Sequence, residues 1–168
     1  MKYAWKNHEF LKMGSFGMVC AYSLILLLGF ALTFAVVPYS GFAFHFFQLS
    51  IFISALLFGP FAGALTGALV SSYNGIFVIH NPYIILGNAI LGFGAGYFAK
   101  RLGAFWAGIA AFAVQLPYLI ITDFYLVHMP MAVLQNVVIA LLVANVICAL
   151  LASRIAPMLV PLFSAGRR

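Results

Sequence analysis

Leu56-Leu57-Phe58-Gly59-Pro60-Phe61-Ala62-Gly63-Ala64-Leu65-Thr66-Gly67-Ala68-Leu69-Val70-Ser71 is the stretch that decides the fold class. It carries no charge. Gly59-Pro60 breaks one apolar run and opens the next. Gly59, Gly63, Gly67 and Ser71 then recur every four residues, which puts them in one ridge along a helix. A ridge of small residues lets helix backbones approach closely in lipid, where packing rather than exclusion from water holds helices together. Gly92 and Gly96 repeat the spacing downstream.

The rest of the chain has the same character. Of 168 residues, 66% are hydrophobic and only 6% are charged, against about 25% charged in an average soluble domain. A water-soluble enzyme, a secreted module and a disordered chain are excluded by that ratio. The apolar runs are far longer than the ~10-residue alternating strands of a membrane barrel. At about 20 residues per crossing, the length allows six or seven helices. The turn clusters at Pro38-Tyr39-Ser40-Gly41, Gly59-Pro60, His80-Asn81-Pro82, Lys100 to Gly103 and His128-Met129-Pro130 divide it into six. The predicted spans are about 16–37, 43–58, 61–79, 83–99, 104–126 and 131–155, with Pro117 kinking the fifth and Pro157 and Pro161 following the sixth. No linker separates domains, so residues 1–168 are expected to form a single all-α membrane domain, a six-transmembrane-helix bundle.

The cations fix its orientation. Lys2, Lys6 and Lys12 precede the first span, Lys100 and Arg101 follow the fourth, and Arg154, Arg167 and Arg168 lie at the end of the chain. With an even number of spans all of these fall on one face, which the positive-inside bias makes cytoplasmic, together with both termini. The net charge of +6 is therefore juxtamembrane and does not point to nucleic acid. Cys20 and Cys148 fall inside apolar runs and read as small buried residues. The first fifteen residues contain no short apolar segment ending in a signal-peptidase site.

Polar side chains collect near the other face. His45 and Gln48 open the second span, Asn74 and Asn88 lie about five residues from the outer ends of the third and fourth, and His80, Asn81 and His128 fall in loops. Asp123 lies near the outer end of the fifth span, and Gln135 and Asn136 begin the sixth. The inner half offers little beyond Ser54, Asn145 and the cysteines. A polar group facing lipid is costly. Interhelical hydrogen bonding explains any one of these residues, but the one-sided set points to an outward-facing pocket. On the fifth span Gln115, Tyr118, Thr122 and Tyr125 share a face, and Asp123 is the only acid within a span. The candidate substrate-binding residues are thus Phe44, His45, Asn88, Gln115, Tyr118, Asp123, Tyr125 and Gln135. Gln115 would form the floor, Phe44, Tyr118 and Tyr125 would offer ring contacts, and Asp123 would accept N–H groups of a neutral or cationic heterocycle. With no cation in the pocket, a polyanionic cargo is disfavoured.

Several chemistries lack their residues. There is no Walker A loop, no chain of acids across the membrane and no nucleophile–base–acid set, so an enzyme is not expected. His45, His80, His128 and Asp123 sit at no ligand spacing on one helix, so neither a metal site nor a resident cofactor is expected. On the first span, Ala31 and Ala35 form a further small-residue step, which fits internal packing and docking of a partner helix equally.

The segment from Leu56 to Ala68, with its G-P-x-x-G-x-x-x-G pattern, resembles the substrate-binding S components of energy-coupling factor (ECF) vitamin transporters. The size, the six spans, the glycine-rich third span and Gly87-Asn88 with Gly92 on the fourth extend the resemblance over most of the chain. It implies a prokaryotic cell-membrane protein that captures a vitamin or related micronutrient from outside and delivers it inward with a transmembrane T component and two ATPase subunits. It also implies that Ala31 and Ala35 meet the T component. The rival reading is a six-span scaffold of the cell-shape type, which has no need of a one-sided polar layer.

Overall fold

The computed structural model describes residues 10–11, 14, 16–39 and 42–164. Helix α1 (Phe16–Phe34) leads into a hairpin of β1 (Val36–Tyr39) and β2 (Phe42–His45). Beyond it come the helices α2 (Gln48–Phe58), α3 (Pro60–Tyr73), α4 (Tyr83–Leu102), α5 (Ala104–Ile121) and α6 (Met131–Ser164). Phe16–Phe34, Pro60–Val78, Ala104–Leu126 and Met131–Phe163 are each long and apolar enough to cross a membrane. This is an all-α membrane protein with one small hairpin.

The helices run alternately between two ends. Tyr22 on α1 packs its ring 5.5 Å from that of Phe58, while Thr33, at the other end of α1, hydrogen bonds to the Val70 carbonyl at 3.1 Å. One end gathers Phe10, Gly59 and Lys100, and there the Leu11 N–H donates to the Leu57 carbonyl at 2.7 Å. The other end gathers the hairpin and the loops before α4 and α6. At the first end Gly59 (φ 95°) and Gly103 (φ 80°) turn the chain in a single residue, a conformation that favours glycine. Pro60 then occupies the first turn of α3, where its missing N–H costs nothing. At the second end α3 and α5 each finish in a π-helical turn, Asn74–Val78 and Thr122–Leu126. After each turn comes a histidine with positive φ, His80 (54°) and His128 (57°), and a proline two residues later. The pairs α3–α4 and α5–α6 are thus built alike.

Four predicted boundaries change; the fourth span runs on to Leu102, so that Lys100 and Arg101, predicted as turn, form the last turn of α4. The first span stops at Phe34, because the β-branched Val36 and Val37 join the hairpin, pairing with His45 and Phe44. The second is not a helix from residue 43: residues 42–45 are strand, and α2 has 11 residues. The sixth continues to Ser164 with Pro157 and Pro161 inside it. In an apolar setting a helix satisfies its own backbone groups, so losing one N–H per proline costs less than leaving the helix.

α2 is the axis of the bundle, buried at every position but Leu49. It packs on α1, α3, α4 and α6. The glycine ridge of α3 lies directly on α4. A Cβ at Gly67 would run into the Asn88 carbonyl, one at Gly92 into the Gly63 carbonyl, and one at Gly96 would lie 2.5 Å from Pro60 N. Pairing 63 with 92 and 67 with 88 is an antiparallel register held by backbone contact. Between α1, α2 and α3 a hydroxyl chain is closed and satisfied. Tyr22 Oη donates to the Ala62 carbonyl at 3.1 Å, and Thr66 Oγ1 lies 3.1 Å from Tyr22 Oη and 2.8 Å from Ser54 Oγ.

Candidate functional site

The polar side chains at the hairpin end fall into two groups with different hydrogen bonding. The first joins the two loops. Asp123, 3% exposed, accepts a hydrogen bond at 2.7 Å on Oδ1 from Asn81 Nδ2, and Asn81 Oδ1 accepts the Tyr83 N–H at 3.1 Å. The Met129 N–H donates to the Asp123 carbonyl at 2.9 Å. Tyr118, half-buried, donates from its hydroxyl to the Tyr83 carbonyl at 3.1 Å. Asp123 thus fastens the loop before α4 to the end of α5, with one carboxylate oxygen already engaged.

This latch has a measurable strength. Asp123→Ala removes a charge-assisted bond worth about 1.5–3 kcal/mol and should lower the unfolding temperature in detergent. Asn81→Ala should do the same. Because both delete one bond, the double variant should lose clearly less than the sum of the two. Strictly additive losses would show that the pair is not coupled.

The second group consists of buried side chains with polar atoms that have no protein partner. Gln48 Oε1, Gln115 Oε1, Asn74 Nδ2 and both side-chain polar atoms of Asn145 are buried and make no hydrogen bond, and His45 Nδ1 is in the same condition. Gln48 and Asn145 are each 1% exposed. Gln115 Nε2 reaches Asn88 Oδ1 only at 3.5 Å, the outer limit of a hydrogen bond. Each such orphan costs about 1–3 kcal/mol. The hydroxyl chain between α1 and α3, by contrast, makes its contacts within the protein.

The junction of the hairpin, α2 and α6 collects His45, Gln48 and Asn145, while Gln115 faces Asn88. Cys148 Sγ lies 3.8 Å from the Phe46 carbonyl, which sets α6 against the junction of the hairpin and α2. Asn145 is one turn earlier on the same buried face of α6, where β2 packs. Gln48 is the first residue of α2 and His45 the last of β2, its ring 6.1 Å from that of Phe47. Gln115 and Asn88 face each other across α5 and α4, and α4 packs on α2.

The candidate residues read from the sequence divide between the interior and the surface. Asn88, Gln115 and Asp123 are buried, and Phe44, His45 and Tyr118 are half-buried. Tyr125 (63% exposed) and Gln135 point outward. In the closing π-helical turn at Thr122–Leu126, Thr122 and Asp123 are buried, while Tyr125 lies off their face and is exposed. On α6 the buried row includes Leu134, Asn145, Cys148, Ala152 and Ala156, so Gln135 and Asn136 lie beside it. Asn145, set aside in the sequence as an inner-half exception, is the amide that faces inward. Its signal was its helical register with Cys148, Ala152 and Ala156. Ala31 and Ala35 are both exposed; the buried glycine of that helix is Gly29, whose Cβ would strike Ser50 Oγ. Among the described residues there is no group of three His, Cys, Asp or Glu side chains able to hold a metal ion.

In comparison with solved structures, the chain is similar to the S component of a bacterial ECF transporter, with a TM-score of 0.58 and 18% sequence identity over 89% of this chain and 96% of that one. No family model matches the sequence, and no curated protein matches it. At that identity the likeness is one of fold, and it extends over nearly the whole of both chains.

Proposed function

We propose that this chain is the substrate-binding subunit of an ECF-type importer, capturing a small heterocyclic micronutrient of the vitamin class at the hairpin end of the bundle. The observation that carries the reading is the set of buried polar atoms without protein partners: Gln48 Oε1, Gln115 Oε1, both amide atoms of Asn145, and His45 Nδ1. Together they offer acceptors and donors in an otherwise apolar interior. A flat ring with amide or ring-nitrogen edges matches that mixture, and among the described residues no Lys or Arg lies at this end to pair a phosphate or carboxylate. In this reading Asn88 supports Gln115, while the Asn81–Asp123 latch and Tyr118 hold the loops over the site. Phe44 lines its hairpin side, and Tyr125 and Gln135 stand at its outer rim.

The whole chain is one membrane domain of six spans, with both termini cytoplasmic. The second crossing combines the short α2 with the hairpin, and among the described residues Lys100 and Arg101 lie at the inner end of α4, with Arg154 toward the inner end of α6. The setting is a prokaryotic cell membrane. The chain carries no ATP-binding loop, so energy comes from partners, a transmembrane T component and two ATPase subunits, and the protein performs no covalent chemistry itself.

The exposed Ala31 and Ala35 give that partnership a surface. Ala31 lies on α1 and Ala35, just past its last residue Phe34, is off the predicted helical step; two small exposed residues there leave room for a second helix backbone. Ala31→Trp should abolish co-purification with a T component and ATPases and stop ligand uptake by reconstituted vesicles, while ligand binding to the isolated subunit stays within about twofold, since the residue faces away from the bundle. Uptake and assembly at wild-type levels in Ala31→Trp would remove this face from the interface.

A further inference from the structure

We propose that the apolar groove between α3, α4 and α5 holds one acyl chain of an anionic phospholipid, with Arg101 taking the phosphate. The groove has a volume of about 400 Å³, and its lining includes Ala64, Leu86, Ala89, Phe93, Tyr97 and Val114. It lies on the outside of the bundle, away from the buried amides. The small residues Ala64 and Ala89 leave a depression, and Phe93 and Tyr97 wall it toward the end of α4.

Length and charge select the occupant. From Leu86 to Tyr97 the helical rise covers about 16 Å, close to half of the ~30 Å hydrocarbon core. The groove is therefore one leaflet deep, the reach of a single acyl chain. Phe93 and Tyr97 stack with ring centroids 6.3 Å apart and 13° between planes, and the Arg101 guanidinium lies 5.2 Å above the Tyr97 ring. Residues 93, 97 and 101 form one row along α4, so the guanidinium sits where the groove reaches the membrane surface. Tyr97 occupies the interfacial level that aromatic side chains favour.

Among the described residues nothing supplies the counter-charge there. The chain has two acids against eight Lys and Arg residues. Asp123 is at the opposite end, bound to Asn81, and Glu9 lies outside the described residues. The neighbouring cation, Lys100, is directed over the Phe10 ring at 4.8 Å, which leaves Arg101 as the group at the groove mouth. A planar guanidinium matches a phosphate with paired hydrogen bonds. A partner helix would fill an apolar groove equally well but gives no account of the cation at its mouth. This inference rests on membrane residence and not on the importer reading.

Native mass spectrometry of the full-length protein, titrated with phosphatidylglycerol and phosphatidylcholine of matched acyl chains, tests it. The wild type should retain phosphatidylglycerol in preference, and Arg101→Ala should reduce that preference by on the order of tenfold, the loss of one charge-assisted contact. Val114→Trp, at an exposed groove position, should lower the occupancy of both lipids while the unfolding temperature holds. Equal retention of both lipids by the wild type, or an unchanged preference in Arg101→Ala, would overturn the proposal. So would a co-purifying protein that Val114→Trp displaces while lipid binding is unaffected.

Discussion

Replacing Asn145 with leucine should make the ligand-free protein more stable and its ligand binding far weaker. Asn145 is 1% exposed and neither of its amide atoms has a protein partner. Leucine has nearly the same volume and no polar atoms, so the substitution removes a burial penalty of about 1–3 kcal/mol. The unfolding temperature of the empty protein in detergent should therefore rise. If the amide contacts the cargo, binding falls at least ten- to a hundredfold, the equivalent of about 1.5–3 kcal/mol. The opposed directions separate a ligand group from a structural one. An asparagine that held the fold through hydrogen bonds would lose stability on replacement, and binding would fall only through misfolding. Differential scanning fluorimetry and calorimetric titration on the same preparation give both readouts.

The largest loss of folded protein should come from Gly92→Leu. A Cβ at Gly92 would collide with the Gly63 carbonyl and lie 2.9 Å from Ala64 N. These are backbone atoms of α3 and cannot rotate away. Ordinary overpacking costs about 1–3 kcal/mol; here the helices themselves must separate, so the cost should exceed the upper end of that range. Little monodisperse protein should survive size-exclusion chromatography. Gly17→Ala is the matched control, because nothing lies within 4 Å of that Cβ. It should behave as wild type or gain a few tenths of a kcal/mol from reduced backbone freedom.

Legibility in the sequence depended on periodicity. The ridge Gly59, Gly63, Gly67 reads directly at a spacing of four, and its contact with α4 was foreseeable because Gly92 and Gly96 share that spacing. The turn at Gly59-Pro60 likewise carries its own chemistry. The hairpin was hidden, since Phe42-Ala43-Phe44 is as apolar as the helices around it, and its pairing with Val36 and Val37 is a non-local contact. The π-helical turns were also hidden. A single inserted residue has no compositional mark, and in the closing turn Thr122–Leu126 it is Asp123 and not Tyr125 that is buried. The polar layer was legible as a level along the bundle axis, but not as a direction around each helix. Counting depth brought Gln135 into the candidate set, and the helical register of the buried row of α6 adds Asn145.

A small molecule held by amides of α2, α5 and α6 at the hairpin end is the centre of the proposed function. Native mass spectrometry of the detergent-solubilised protein, purified from cells grown in rich medium, measures this most directly. The expected result is a non-covalent adduct with the mass of a small heterocycle on the wild type, and its absence from Asn145→Leu prepared in parallel at equal or higher stability. An adduct retained by Asn145→Leu and by Gln48→Leu alike, or a wild type that carries none under conditions that preserve bound lipid, would contradict it.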